Sequence, residues 1–231
     1  MQSTPCLRRH RALLLIPLII CALGIAHATF ANVLANPGFE TGAALNAAPV
    51  AGAAGWNTFG NASTTSANND PTHSGIGSLK LAGGGNFSVP GAFQTFPASP
   101  GQIWDFQGYM LAPTALPTNA TFGLLKIVWN NGTSDLPPAQ INIGQPAAPA
   151  NPGIESLPQL NSGSTPSTWI FTEAQGVAPV GTTQVSFFAL FVDQSAGTGY
   201  FDDLNASIVP EPGCAALALA GVVCLAGKRR R

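Results

Sequence analysis

The chain has 231 residues and a formal net charge of −1, with 45% hydrophobic and only 8% charged residues. Seven of its nine cations, Arg8, Arg9, Arg11, Lys228, Arg229, Arg230 and Arg231, sit at the two ends; residues 32–209 hold only Lys80 and Lys126 against nine acids, a balance of −7. Such a segment cannot supply the many phosphate contacts of nucleic-acid binding, which excludes that class. All four cysteines also lie outside it, so no disulfide staples it.

In chain order, Arg8, Arg9 and Arg11 precede "ALLLIPLIICALGIAHA". A basic start, an apolar run and a small-x-small site at Ala26-His27-Ala28 define a secretory signal peptide, residues 1–28, with cleavage after Ala31 as the alternative. Residues 29–208 then alternate short apolar runs with Gly, Pro, Asn and Ser clusters, which predicts an all-β domain, a β-sandwich, with one core. The predicted strands are 78–82, 91–96, 102–111, 120–129, 168–175, 184–192 and 199–209. Within 102–111, Ile103, Asp105, Gln107 and Tyr109 alternate with Trp104, Phe106 and Met110, so one face is polar and one aromatic. "VSFFALFV" is apolar at nearly every position, which predicts a central strand covered on both sides. "NNG" at 130–132 marks a turn. The Pro-rich stretch 133–167 is expected to be a long irregular loop with one or two short strands.

The last segment, 209–231, begins "VPEP" and ends in an uncharged run, Cys214 to Gly227, followed by Lys228 and three arginines. As a helix that run rises about 21 Å, short for a relaxed membrane span. The cations behind it stay on the cytoplasmic side. Pro210 and Pro212 stop any helix from extending further back. In order and spacing, Pro210, Glu211, Pro212, the short transmembrane run and Arg229, Arg230 and Arg231 resemble the PEP-CTERM sorting signal of Gram-negative bacteria. The resemblance implies recognition by a membrane-embedded exosortase, transient anchoring in the inner membrane by the C-terminus, and delivery to the cell surface or extracellular matrix, where exopolysaccharide is common. The expected chain is thus a β-sandwich between an N-terminal signal helix and a short C-terminal transmembrane helix.

Within the exported part, "VLANPGFETG" (33–42), "GW" (55–56), "HSGIGSLKL" (73–81), "APVGTTQVSFFALFV" (178–192) and "GTGYFDDLNA" (197–206) follow one another. Together they resemble jelly-roll carbohydrate-binding modules with a galactose-binding-like fold. The resemblance implies a structural calcium held by Glu40 and Asp202, with backbone carbonyls from the loop around residues 73–80. The residues argue the same way. Asp202 and Asp203 are adjacent in an apolar strand, so one of them points inward, and few cations are on hand to pair with it. A hard ion bound by oxygens is one solution, with Asp203 as the alternative ligand. Backbone amides or Lys80 are the other.

Sugar binding on such a fold uses exposed rings. The resemblance implies that Trp56 and Trp169 are core, and Trp104 reads as core because it shares a face with Phe106. Tyr109 on the polar face and Trp129 beside the turn are the candidate stacking rings, with Gln107 and Asp105 as polar partners. No catalytic residues are assigned. His73 is the only histidine outside the signal peptide, no G-x-S-x-G elbow occurs, and no His/Cys zinc cluster is present. The sequence therefore predicts an exported, non-catalytic protein that binds exopolysaccharide or another glycan. A structural spacer without a ligand is the alternative, and a polysaccharide-active enzyme the third reading.

Overall fold

The computed structural model describes residues 31–43, 50–66, 70–148 and 151–210. The signal peptide, Glu211, Pro212 and the terminal arginines lie outside the described residues; Pro210 is the last described residue.

Fourteen strands follow in order: β1 (Val50–Ala51), β2 (Asn57–Phe59), β3 (Ala62–Ser66), β4 (Gly77–Gly83), β5 (Gly91–Pro97), β6 (Ile103–Leu111), β7 (Phe122–Asn130), β8 (Asp135–Leu136), β9 (Gln140–Ile143), β10 (Gln145–Pro146), β11 (Ile154–Glu155), β12 (Ile170–Val177), β13 (Gln184–Val192) and β14 (Gly197–Val209). All seven predicted strands are present, as β4, β5, β6, β7, β12, β13 and β14. The described residues contain no helix.

The strands form two antiparallel sheets. The first has the order β1-β3-β4-β14-β6-β12-β9, and the second β10-β11-β7-β13-β5-β2 with β8 paired to the edge of β7. Strands adjacent in space are mostly distant in sequence, so the connections cross from sheet to sheet and hold the sandwich together.

Period-two patterning builds the core between the sheets. Trp104, Phe106 and Met110 of β6 face Leu125, Ile127 and Trp129 of β7 and Val185, Phe187 and Phe191 of β13 in one buried cluster. Phe187 lies 5.4 Å from Trp104 and 5.1 Å from Phe106, ring to ring, in tilted pairs.

Two expectations need correction here. The stretch 133–167 is more ordered than a loop, since four short strands fall within it and β10 and β11 extend the second sheet. The strand β13 is central, but it is not covered on both sides. Val185, Phe187, Ala189 and Phe191 are buried, while Ser186, Phe188 and Leu190 line an open groove. Apolar residues on both faces of the strand hid the alternation.

Candidate functional site

The three candidate metal ligands lie around Gly38, though among the described residues not as a group of side chains that could enclose an ion. A side-chain carbon at Gly38 would lie 3.6 Å from Asp203 Oδ1, 3.7 Å from Glu40 Cγ and 3.8 Å from Asp202 Oδ1. They lie near one another because β14 bulges between Asp202 and Asn205, turning Asp203 into a left-handed conformation (φ 49°), while the Pro37 carbonyl accepts from Leu204 N–H at 3.0 Å.

Each of their six carboxylate oxygens already has a protein partner. Asp202, wholly buried, accepts from the backbone N–H of His73 (2.7 Å), Ser74 (3.2 Å) and Asp203 (2.7 Å). Asp203 accepts from Ser74 Oγ and lies 2.7 Å from His73 Nδ1. Glu40 accepts from Ile76 N–H (2.9 Å) and Gly77 N–H (3.2 Å). Lys80 takes no part and pairs with Asp70 at 2.9 Å. The inward aspartate is thus satisfied by amides, and among the described residues no three His, Cys, Asp or Glu side chains converge as a metal cage. Burial nevertheless pushes the Asp202 carboxyl up to about 7, with the Asp203 charge adding to the rise and the amide bonds opposing it.

The expected stacking rings fare differently from one another. Trp129 is wholly buried, not at a rim, because it shares the inward parity of Leu125 and Ile127. Tyr109 stays on the outer face of the first sheet, but His73 stacks on it at 3.6 Å between ring centroids and closes one ring face. Phe171, directly opposite Tyr109 on β12, packs its ring edge-on at 5.6 Å. Trp56 and Trp104 are core as expected, whereas Trp169 is half-buried with its ring against His73.

Asp105 and Gln107 share this outer face with Tyr109. Gln107 is registered between Asn205 and Glu173, and Asp105 between Ser207 and Gln175. Burial, then the neighbouring Glu173 carboxylate, raises Asp105 to about 7. Asp105 Oδ1 and Asn205 Oδ1 are buried without a hydrogen-bond partner.

A different feature dominates the opposite side of the sandwich. The outer face of the second sheet carries a groove of about 480 Å³, walled by Phe59, Val89, Phe188 and Leu190 and floored with polar residues including Lys126 and Asn130. Across it runs one row of cross-strand neighbours, one per strand: Asn57 (β2), Phe93 (β5), Phe188 (β13), Lys126 (β7) and Glu155 (β11). At about 4.8 Å per strand the row is about 19 Å long.

Its two rings stack, and Phe59 extends the apolar part with its centroid 6.2 Å from Phe93. Phe59 can lie down over the sheet because residue 91 is glycine; a Cβ there would stand 2.5 Å from Phe59 Cζ and 2.7 Å from Leu190 Cδ2. None of these groove residues was singled out from the sequence. The parity of β7 is the signal that would have found the face, since it places Lys126, Val128 and Asn130 together on the side away from Trp129.

No protein-family model matches the chain, and no curated protein matches it. Solved structures do. An arabinose-bound α-L-arabinofuranosidase is 16% identical with a TM-score of 0.52, over 79% of this chain and 27% of that one, so the chain spans about a quarter of that protein. A carbohydrate-binding module solved with β-1,4-galactotriose is 16% identical over 77% of this chain and 99% of its own, with a TM-score of 0.49. A xylan-binding domain from Paenibacillus barcinonensis is 14% identical over 74% and 97%, with a TM-score of 0.47. The class of protein is therefore a two-sheet antiparallel β-sandwich. The likeness establishes that fold.

Proposed function

We propose that this protein is an exported, non-catalytic glycan-binding protein, and that it holds a polysaccharide segment in the groove of the second sheet. The observation that carries this reading is the transverse row of Phe93, Phe188 and Lys126, with Phe59 beside it. Stacked rings offer apolar shelves to the C–H faces of sugar rings, while Asn57, Thr95, Asn130, Gln184 and Ser186 offer hydrogen bonds to hydroxyls. Among the described residues Asp135 lines the groove and Glu155 ends its transverse row. Each is bonded by a side-chain amide, Asp135 by Asn130 and Glu155 by Gln159, and nothing marks the two as the facing acid pair that glycoside hydrolysis uses. Two of the structures similar in fold are a module in complex with β-1,4-galactotriose and a xylan-binding domain.

The site residues read from the sequence, Tyr109, Gln107 and Asp105, lie on the opposite face, and the present reading moves the binding site away from them. Export, sorting by an exosortase and display at the surface of a Gram-negative cell rest on residues 1–28 and 209–231 and belong to the same proposal. The spacer alternative has its own support in the burial of Trp56, Trp104 and Trp129.

The test is affinity electrophoresis of the protein through native gels containing individual polysaccharides, including exopolysaccharide of the producing cells. Retardation by at least one polymer, lost in Phe188→Ala, is expected. A protein that folds and runs unretarded in every gel would put the spacer reading first.

A further inference from the structure

Among the described residues Lys126 is the one cation of the groove, and its surroundings specify what should meet it. The residue is only 2% exposed, yet it lines the groove. Its ammonium carries three donors, and among the described residues it has one partner, the Asn151 carbonyl at 3.1 Å. Two carboxylates lie close enough to act on it through space, but neither pairs with it. Glu155, its cross-strand neighbour, is bonded by Gln159 Nε2 at 3.2 Å, and Asp135 by Asn130 Nδ2 at 3.0 Å. Among the described residues the salt bridges are His73–Asp203 and Lys80–Asp70. Burial lowers the Lys126 pKa, and the two acids act the other way. A buried ammonium without a bonded counter-charge is costly, and a carboxylate supplied by a ligand offsets that cost while using the idle donors.

We infer that the groove selects an acidic glycan, a polymer of uronic acid or of similarly carboxylated sugars, with a sugar carboxylate docked on Lys126 and the adjacent rings stacked on Phe188 and Phe93. This rests on the groove reading above and gives it a substrate class. The row order sets the geometry. The carboxylate site is one strand from the first ring, so charge and stacking act on the same or the next sugar. The net charge of the domain opposes polyanions at long range, but that repulsion is screened within about 8 Å at physiological salt, whereas a desolvated contact at Lys126 is screened far less.

The experiment compares polygalacturonate and alginate, each beside its fully methyl-esterified form, by affinity electrophoresis of the full chain. An acid polymer should be retained and its ester retained at least about thirtyfold less tightly. Lys126→Gln should lose that preference, Lys126→Arg should keep most of it, and Asp135→Asn, an exposed change that leaves the core untouched, should strengthen acid binding. Equal binding of acid and ester forms, or Lys126→Gln binding like the native chain while Asp135→Asn changes nothing, overturns the inference and leaves the groove reading standing. Failure of the native chain to bind any of these forms while another polysaccharide retards it overturns the inference alone; no retardation by any polysaccharide overturns both.

Discussion

Phe188 stacks on Phe93 with ring centroids 5.0 Å apart and ring planes 23° from parallel, so two neighbouring strands present one continuous apolar shelf at the surface. Rings that stack on the outer face contribute little to a core already filled from inside by Phe187, Trp104 and Phe106. Phe188→Ala is therefore expected to cost only about 1 kcal/mol of stability. It should weaken glycan retention by about tenfold or more, a loss of about 1.4 kcal/mol of binding. Parallel thermal melts and affinity gels separate the two effects; a large loss of melting temperature with unchanged retention would show that the ring serves the fold.

Gly91 gives a test of positioning that leaves every groove side chain in place. Gly91→Ala puts a methyl group against Phe59 Cζ and Leu190 Cδ2, both ends of movable side chains. The ring must lift off the sheet. The expected price is about 1–2 kcal/mol of stability with a several-fold weaker grip on the polymer. Affinity gels of Gly91→Ala and Phe59→Ala should then agree; if Gly91→Ala binds as the native chain does, Phe59 is no part of the surface.

Much of the sandwich was legible because β-strands announce themselves by composition and by what separates them. The Gly, Pro and Asn clusters bounded all seven long strands, and the alternation in "QIWDFQGYML" gave the facing of β6 correctly. The groove was not legible for an equally physical reason. In "QVSFFALFV" both parities are apolar, so inward Phe187 and outward Phe188 carry the same hydropathy signal. Only the pairing partners, Trp129 beside Val185 and Lys126 beside Phe188, tell the two faces apart, and partners 56 and 62 residues away in the chain leave no local trace. Trp129 was placed at a rim from its nearness to a turn, where its parity with Ile127 should have outweighed position. The acid cluster was half legible: Glu40, Asp202 and Asp203 do lie near one another, but the bulge that turns Asp203 outward has no glycine to mark it.

Asp105 predicts a pH dependence and a stabilising mutation. Its carboxyl is raised from the ordinary 3.8 to about 7, so between those values the folded chain binds more protons than the unfolded one. Stability must then fall as the pH rises through that window and level off above it. Asp105→Asn removes the charge and can donate to Glu173. The variant should melt higher than the native chain at about pH 8, by the equivalent of about 1–2 kcal/mol, and almost identically at about pH 5. An equal shift at both pH values would show that the gain is not electrostatic.

Asp202 obeys the same sign rule, and it allows calcium to be tested without a binding assay. The wholly buried carboxylate is costly when ionised, because burial outweighs its three amide bonds. Asp202 Oδ2 accepts two amide hydrogen bonds, but Asp202 Oδ1 and the oxygens of Glu40 and Asp203 accept one each and retain a lone pair, so these acids are the proposed calcium ligands. An ion there would favour the ionised form and compete with the proton. Calcium should accordingly raise the melting temperature over chelator-treated protein clearly at about pH 8 and much less at about pH 5, where Asp202 holds its proton. Asp203→Asn, which alters the one half-exposed aspartate of the pair, should shrink the calcium effect while keeping the fold. Identical melting with calcium and with chelator at the higher pH would mean that the amides of His73, Ser74 and Asp203 are the only partners Asp202 has.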